Sequence, residues 1–207
     1  MMDHSARLTI VVPSYQRSDY LARQIDFWRR YCVHTVIVDG SEEPIHEWLG
    51  FRERDFLTYV HAPISIEERL GLAADLIKTE YSALLSDDEF FVPSAVDECI
   101  QALDADASFV SCKGQAVRFN FIDDSVRTGV AYPKLFGYQV IASSSLERMK
   151  MHMNPYQMAS LWSVARSEIL SDALRMISVS GKCRSAAAPE LMLSLYFAAR
   201  GNCGTVP

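Results

Sequence analysis

The stretch "LLSDDEFF", residues 84–91, sets Asp87, Asp88 and Glu89 in a row between two leucines and two phenylalanines. Like charges at the end of an apolar run repel one another and resist leaving water. Two remedies exist. The acids can be solvated in a turn and cap the helix that opens near Pro93, or they can bind a cation. The apolar flanks disfavour full solvation of the backbone there. A hard divalent ion such as Mg2+ or Mn2+ takes one or two protein carboxylates and completes its shell with water and ligand phosphates.

The elements around the acids say where they sit. "RLTIVVP" (7–13) is a β-branched run ended by Pro13, a buried strand. "SDYLARQIDFWRRY" (18–31) has Leu21, Ile25 and Trp28 at helical spacing, with Ser18 or Asp19 as N-cap. "HTVIVDGS" (34–41) is a second strand closed by an Asp-Gly turn, and "DFLTYVHAP" (55–63) a third. "SIEERLGLAADLIKTE" (65–80) opens with Ser65 and Glu68 in capping-box spacing. "YSALLSDDEFF" (81–91) is a fourth strand, "VPSAVDECIQALDAD" (92–106) a helix and "ASFVSCKG" (107–114) a fifth strand. Strands alternating with helices imply a mostly parallel sheet flanked by helices, an α/β fold whose ligand crevice lies outside the carboxyl ends of the strands. Ser14, Tyr15 and Arg17 follow the first strand, Asp39 ends the second and the acids end the fourth, so all should gather on one edge.

The second half is less regular. Residues 117–157 mix short alternating pieces with Gly, Pro and Ser and read as a strand followed by a hairpin or irregular insertion near the crevice. Residues 158–170 read as a strand running into a helix. Residues 188–201 read as a helix with Pro189 near its start, Glu190 in its first turn and Gly201 as its stop.

A length of 207 residues, 49% of them hydrophobic, suits a single domain, 1–114 forming one half and 115–207 the other, either alone or as one module of a longer polypeptide. A formal charge of −6 without a basic cluster argues against a nucleic-acid partner. No apolar run reaches the roughly 18 residues of a membrane span, and the N-terminus lacks a secretory signal pattern. The 5 cysteines include no C-x-x-C pair, which points to free thiols in a reducing, cytoplasmic setting rather than to a disulfide framework or a zinc knuckle.

"LTIVVPSYQRSDYLARQIDFW", "VIVDGS" and "EYSALLSDDEFF", in that order, resemble the nucleotide-sugar-binding half of GT-A glycosyltransferases, and most of all the inverting family 2 type. The resemblance covers residues 7 to about 114 and, less closely, 158–200. It implies that Pro13, Ser14 and Tyr15 line the nucleobase and ribose pocket, with Arg17 beside it. Asp39 would accept a hydrogen bond from the base of a uridine or thymidine nucleotide, and Arg69 would face the pocket or pyrophosphate. Aligned through "EYSALL", Asp88 falls on the last acid of the family's DxD motif, the usual metal ligand, and Ser86 departs from its first acid. Asp87 would contact ribose or metal-bound water, and Glu89 is an alternative ligand, since Asp87-x-Glu89 fits the same spacing.

The implied reaction moves a sugar from a nucleoside diphosphate sugar to an acceptor hydroxyl on a glycan, lipid or protein. Mn2+ or Mg2+ would stabilise the leaving diphosphate, and a carboxylate on the opposite face would take the hydroxyl proton. Glu190 best fits that base, although Leu191 stands where the family has a second acid. Glu168 and Asp172 are weaker choices. No histidine follows the helix that carries Glu190, and His152 is the one in the insertion. Two rival functions use the same sheet: a sugar nucleotidyltransferase, disfavoured because "PSYQRSDYL" has no glycine to cradle phosphates, and a non-catalytic binding module.

Overall fold

The computed structural model describes residues 4–45, 56–133, 136–154, 156, 161–181, 183, 185 and 187–207. Strand β1 (Leu8–Ser14) leads into α1 (Ser18–Arg29) and β2 (His34–Asp39). Next come β3 (Leu57–His61), α2 (Ile66–Leu76), β4 (Tyr81–Leu84), α3 (Pro93–Ala105) and β5 (Phe109–Lys113). The second half adds the hairpin β6 (Val117–Ile122) and β7 (Ser125–Val130), α4 (Ser145–Met153), β8 (Val164–Arg166), α5 (Ser167–Val179), α6 (Ala187–Arg200) and β9 (Asn202–Thr205). Seven strands form one sheet in the order β3-β2-β1-β4-β8-β5-β9. β1 pairs in parallel with β2 and β4, β2 with β3, and β5 with β9, while β8 runs antiparallel to both β4 and β5.

The two faces of the sheet bury different helices. α1 and α3 cover one face with Leu21, Ile25, Trp28, Val96, Ile100 and Leu103. α2, α5 and α6 cover the other, where Leu70, Ile169, Leu170, Leu174, Leu193 and Phe197 pack together. Among the described residues no helix is long and apolar enough to cross a membrane.

Several expectations need correction. α1 begins at Ser18 with Arg17, not Ser18 or Asp19, in the N-cap position, and no side chain closes that cap. α2 does carry the capping box: Ser65 accepts from the Glu68 amide and Glu68 reaches back to the Ser65 amide. It ends at Leu76, before the Lys78–Thr79 turn into β4. The fourth strand stops at Leu84, although the Leu85 amide still donates to the Val11 carbonyl (2.9 Å), so the acids occupy a turn and not a strand. The third strand is confirmed from Leu57, whereas residue 55 lies outside the described residues. Within the irregular stretch, the hairpin is accompanied by helix α4, and the chain closes with strand β9 where no element was expected.

The last part of the sheet is tied down by Arg148 of α4. Its buried guanidinium donates to the carbonyls of Ala198 (2.8 Å), Ala199 (3.0 Å) and Ala142 (2.8 Å). It thereby caps the C-terminal end of α6, whose unsatisfied carbonyls carry negative partial charge. Arg148→Leu leaves those carbonyls bare and buried, and should lower stability by about 3 kcal/mol in urea unfolding. Arg118→Leu, on the exposed β6, should change stability by less than about 0.5 kcal/mol in the same assay.

Candidate functional site

The carboxyl ends of β1, β2 and β4 meet at one edge, as the alternation of elements predicts. Ser14 stands level with Asp39 in the β1–β2 register. The Gly40 amide donates to the Ser14 carbonyl (2.9 Å), and beyond Leu84 the chain still runs beside β1, Leu85 donating to Val11. Gln16 takes a left-handed backbone conformation, φ 56°, and its amide donates to Ser41 Oγ (2.8 Å). This bend lifts Tyr15 out of the sheet to 52% exposure, leaves Pro13 half-buried beneath it and aims Arg17 across at the acidic turn.

That turn is held from two sides. Asp87 is only 4% exposed. Its Oδ2 accepts from Ser14 Oγ (2.7 Å) and its Oδ1 from an Arg17 guanidinium nitrogen (2.6 Å). The same nitrogen reaches Asp88 Oδ2 at 3.1 Å. Tyr20 supports the guanidinium through its ring, 4.6 Å away. From below, the fully buried Gln24 donates through Nε2 to the carbonyls of Asp87 (3.1 Å) and Glu89 (2.5 Å) and, more weakly, Ser86 (3.3 Å). Its Oε1 accepts from the Trp28 indole (3.0 Å), which fixes the orientation of the amide. At sequence level Gln24 is one polar residue in an amphipathic helix. Its signal was a polar side chain one turn before Trp28 on the buried face.

Asp39 is 0% exposed. Its Oδ1 accepts from the Ser41 amide (3.0 Å) and hydroxyl (2.6 Å), and its Oδ2 from the Tyr59 hydroxyl (2.7 Å). Burial, with the bond to Asp39, pushes Tyr59 up to about 12, so it stays a donor. Arg69 is buried beside Asp39 rather than paired on the surface. One guanidinium nitrogen donates to the carbonyls of Ser14 and Val38, and among the described residues its Nε has no partner. The guanidinium lies against Gly40, where a Cβ would come within 2.5 Å of Arg69 Cζ. Burial pulls its pKa down, against the charges of Asp39 and Glu67.

The acids differ in what they can still bind. Both oxygens of Asp87 are spent inside the protein. Asp88 projects to the surface with one oxygen unused. Partial desolvation, and then the neighbouring Asp88 charge, raise the Glu89 carboxyl. Among the described residues no group of three acids, histidines or cysteines converges as a metal cage. Two adjacent surface carboxylates do match the donor set of a hard ion that completes its shell with water and phosphate. Ser86 contributes its backbone carbonyl to Gln24.

Glu190 lies in the first turn of α6. That helix ends at Gly201, beside the start of β5, so its first turn reaches the same carboxyl edge as the acids. The weaker choices do not. Glu168 opens α5 directly after β8, and because β8 is antiparallel this is the opposite edge, where the Ser167 amide meets the Glu80 carbonyl (3.0 Å). Asp172 lies near Arg200 (3.7 Å) and Arg175 (3.6 Å), toward that same far edge.

No protein-family model matches this sequence, and no curated protein matches it. Solved structures do share its fold. Residues 1–349 of TarS from S. aureus superpose with a TM-score of 0.65 at 13% identity, over 97% of this chain and 58% of that one. The same TarS piece in complex with UDP-GlcNAc gives 0.62 at 12% identity, over 97% of this chain and 56% of that one. The longer TarS structure gives 0.62 at 12% identity, and this chain spans 35% of it. The present chain therefore corresponds to little more than half of TarS 1–349, and it carries the same mixed α/β fold of the GT-A type.

Proposed function

We propose that this chain is a metal-dependent glycosyltransferase that moves a sugar from a UDP- or dTDP-sugar to an acceptor hydroxyl with inversion. The observation that carries the reading is the convergence of Ser14, Arg17, Asp39 and the turn 87–89 on one sheet edge, opposite the first turn of α6. A protein of this fold solved with UDP and with UDP-GlcNAc supports a nucleotide sugar as donor. The free thiols support a reducing compartment, the cytoplasm.

In this reading Pro13, Ser14 and the exposed Tyr15 ring flank the base and ribose. Asp39, enclosed by Ser41 and Tyr59, acts on the base indirectly by fixing those two groups at the pocket wall. Arg69 places a positive charge under the Ser14 carbonyl and supports the donor from beneath. Asp87 anchors the turn, and Asp88 with Glu89 would hold Mn2+ or Mg2+. The ion, when bound, supplies Lewis-acid stabilisation to the departing diphosphate. Arg17, half-exposed and already set over the acids, is placed to bind a phosphate oxygen. Glu190 takes the proton of the attacking hydroxyl, its carboxylate favoured at a helix N-terminus.

Two measurements test this. UDP together with Mn2+ should raise the melting temperature of the wild-type protein, while either alone does so weakly. Asp88→Ala should weaken the Mn2+-dependent component at least tenfold. UDP binding that ignores a chelator would instead leave a nucleotide-binding module of the same fold. Where turnover of a UDP-sugar is found, Glu190→Gln should lower kcat by about 10²–10⁴-fold with little change in KM for the donor. Unchanged kcat would remove Glu190 from the mechanism.

A further inference from the structure

On the far side of β8 the carboxyl edge has the opposite chemistry. Lys113 ends β5 and is only 7% exposed. Val164 of β8 pairs with both Ala83 and Cys112, so the next residues, Leu84 and Lys113, stand level across it. At the usual strand spacing that places Lys113 about 10 Å from the start of the acidic turn. Among the described residues no carboxylate pairs with it, and its ammonium rests over the Tyr138 ring at 5.7 Å. Thr205, opposite Lys113 in the β5–β9 register, donates to the Tyr138 carbonyl (2.5 Å) and anchors its backbone.

Two more polar groups join it. His152 of α4 is 1% exposed. Its Nδ1 lies 3.2 Å from the Tyr138 hydroxyl, and among the described residues its Nε2 has no partner. With an acceptor placed on Nε2, that nitrogen carries the ring hydrogen and Nδ1 accepts from the Tyr138 hydroxyl. The Tyr156 ring meets His152 edge-on at 5.4 Å, and its buried hydroxyl faces Ser194 and Glu190 of α6 without closing a hydrogen bond. A lysine ammonium, an imidazole nitrogen and a phenol O–H thus lie along one run of ring contacts; Glu190 faces the phenol without closing a hydrogen bond, and among the described residues no carboxylate pairs with the ammonium or the imidazole. Buried donors are normally satisfied, and those left over point to a missing acceptor.

We propose that Lys113, His152 and Tyr156 form a subsite for an oxyanion, a phosphate or a carboxylate carried by the acceptor. The word acceptor rests on the glycosyltransferase reading; the oxyanion site rests on the cluster alone. Its place on the face that carries Glu190, and across β8 from the acids, separates it from the donor's diphosphate. An oxyanion there would pair the ammonium and accept from the imidazole, and would hold the acceptor by its charged group so that its hydroxyl meets Glu190.

The test is calorimetric titration of inorganic phosphate, and in parallel acetate, into wild type, Lys113→Met, Lys113→Arg and His152→Phe, with and without saturating UDP and Mn2+. Saturable binding of at least one anion is expected, unaffected by UDP and Mn2+. It should be tenfold or more weaker in Lys113→Met, fivefold or more weaker in His152→Phe and largely kept in Lys113→Arg. The tighter anion tells which group the acceptor bears. Lys113→Met should melt above wild type at pH 7, because burial holds the ammonium down to about 8 and its removal relieves that cost. Absence of saturable binding, or equal affinity in Lys113→Met or His152→Phe, overturns the proposal. Competition by UDP would assign the oxyanion to the donor and overturn the acceptor subsite. If UDP and Mn2+ fail to bind while anion binding still depends on Lys113, the donor reading falls and the oxyanion site stands.

Discussion

A carboxylate as enclosed as Asp87 persists only where donors meet it on every side, and this one requirement organises the first half of the molecule. Ser14 brings the end of β1 to one oxygen and Arg17 brings the start of α1 to the other. Gln24, braced by Trp28, grips the backbone on both sides of the acid. The ion pair therefore does more than join two residues. It fixes the bend after Ser14, the entry into α1 and the shape of the turn that presents Asp88 and Glu89. An acid run that looks self-repelling in the sequence becomes one anchored acid and two outward ones.

The antiparallel strand β8 divides the working edge into two electrostatic territories. On the β1–β4 side, carboxylates are offset by hydroxyls and by an arginine. On the β5–β9 side, Lys113 ends its strand with no carboxylate paired to it among the described residues. The same inserted strand sends the chain back to the opposite edge before α5 begins, which is why only α6, of the two late helices, brings an acid to the site. One strand reversal thus decides which late acid can face the donor half.

Much of this was legible before any coordinates. β-branched runs and helical spacings placed β1 to β5 in order, and the crevice rule gathered Ser14, Asp39 and the acids on one edge. The Ser65–Glu68 capping box is local chemistry and could be read as such. What escaped depends on tertiary context. Strand β9, "NCGT", has neither β-branched density nor clear alternation and becomes a strand only because β5 offers a free edge. Helix α4 was hidden among serines and methionines, and Arg148 reveals its purpose only once α6 ends beside it. Glu168 seemed eligible because the direction of a three-residue strand cannot be read from its residues. Gln24, Lys113 and His152 are ordinary letters in their segments until their partners, or missing partners, are seen.

The crowding of Arg69 against Gly40 extends to how such sequences vary over time. A methyl group at position 40 and a guanidinium from position 69 compete for one volume beneath the first two strands. The Asp-Gly pair is thus less a flexible corner than a slot left vacant for a cation, and the two positions should drift together. Homologues that place a larger residue after the aspartate should also have surrendered the arginine, and with it the positive floor of the pocket.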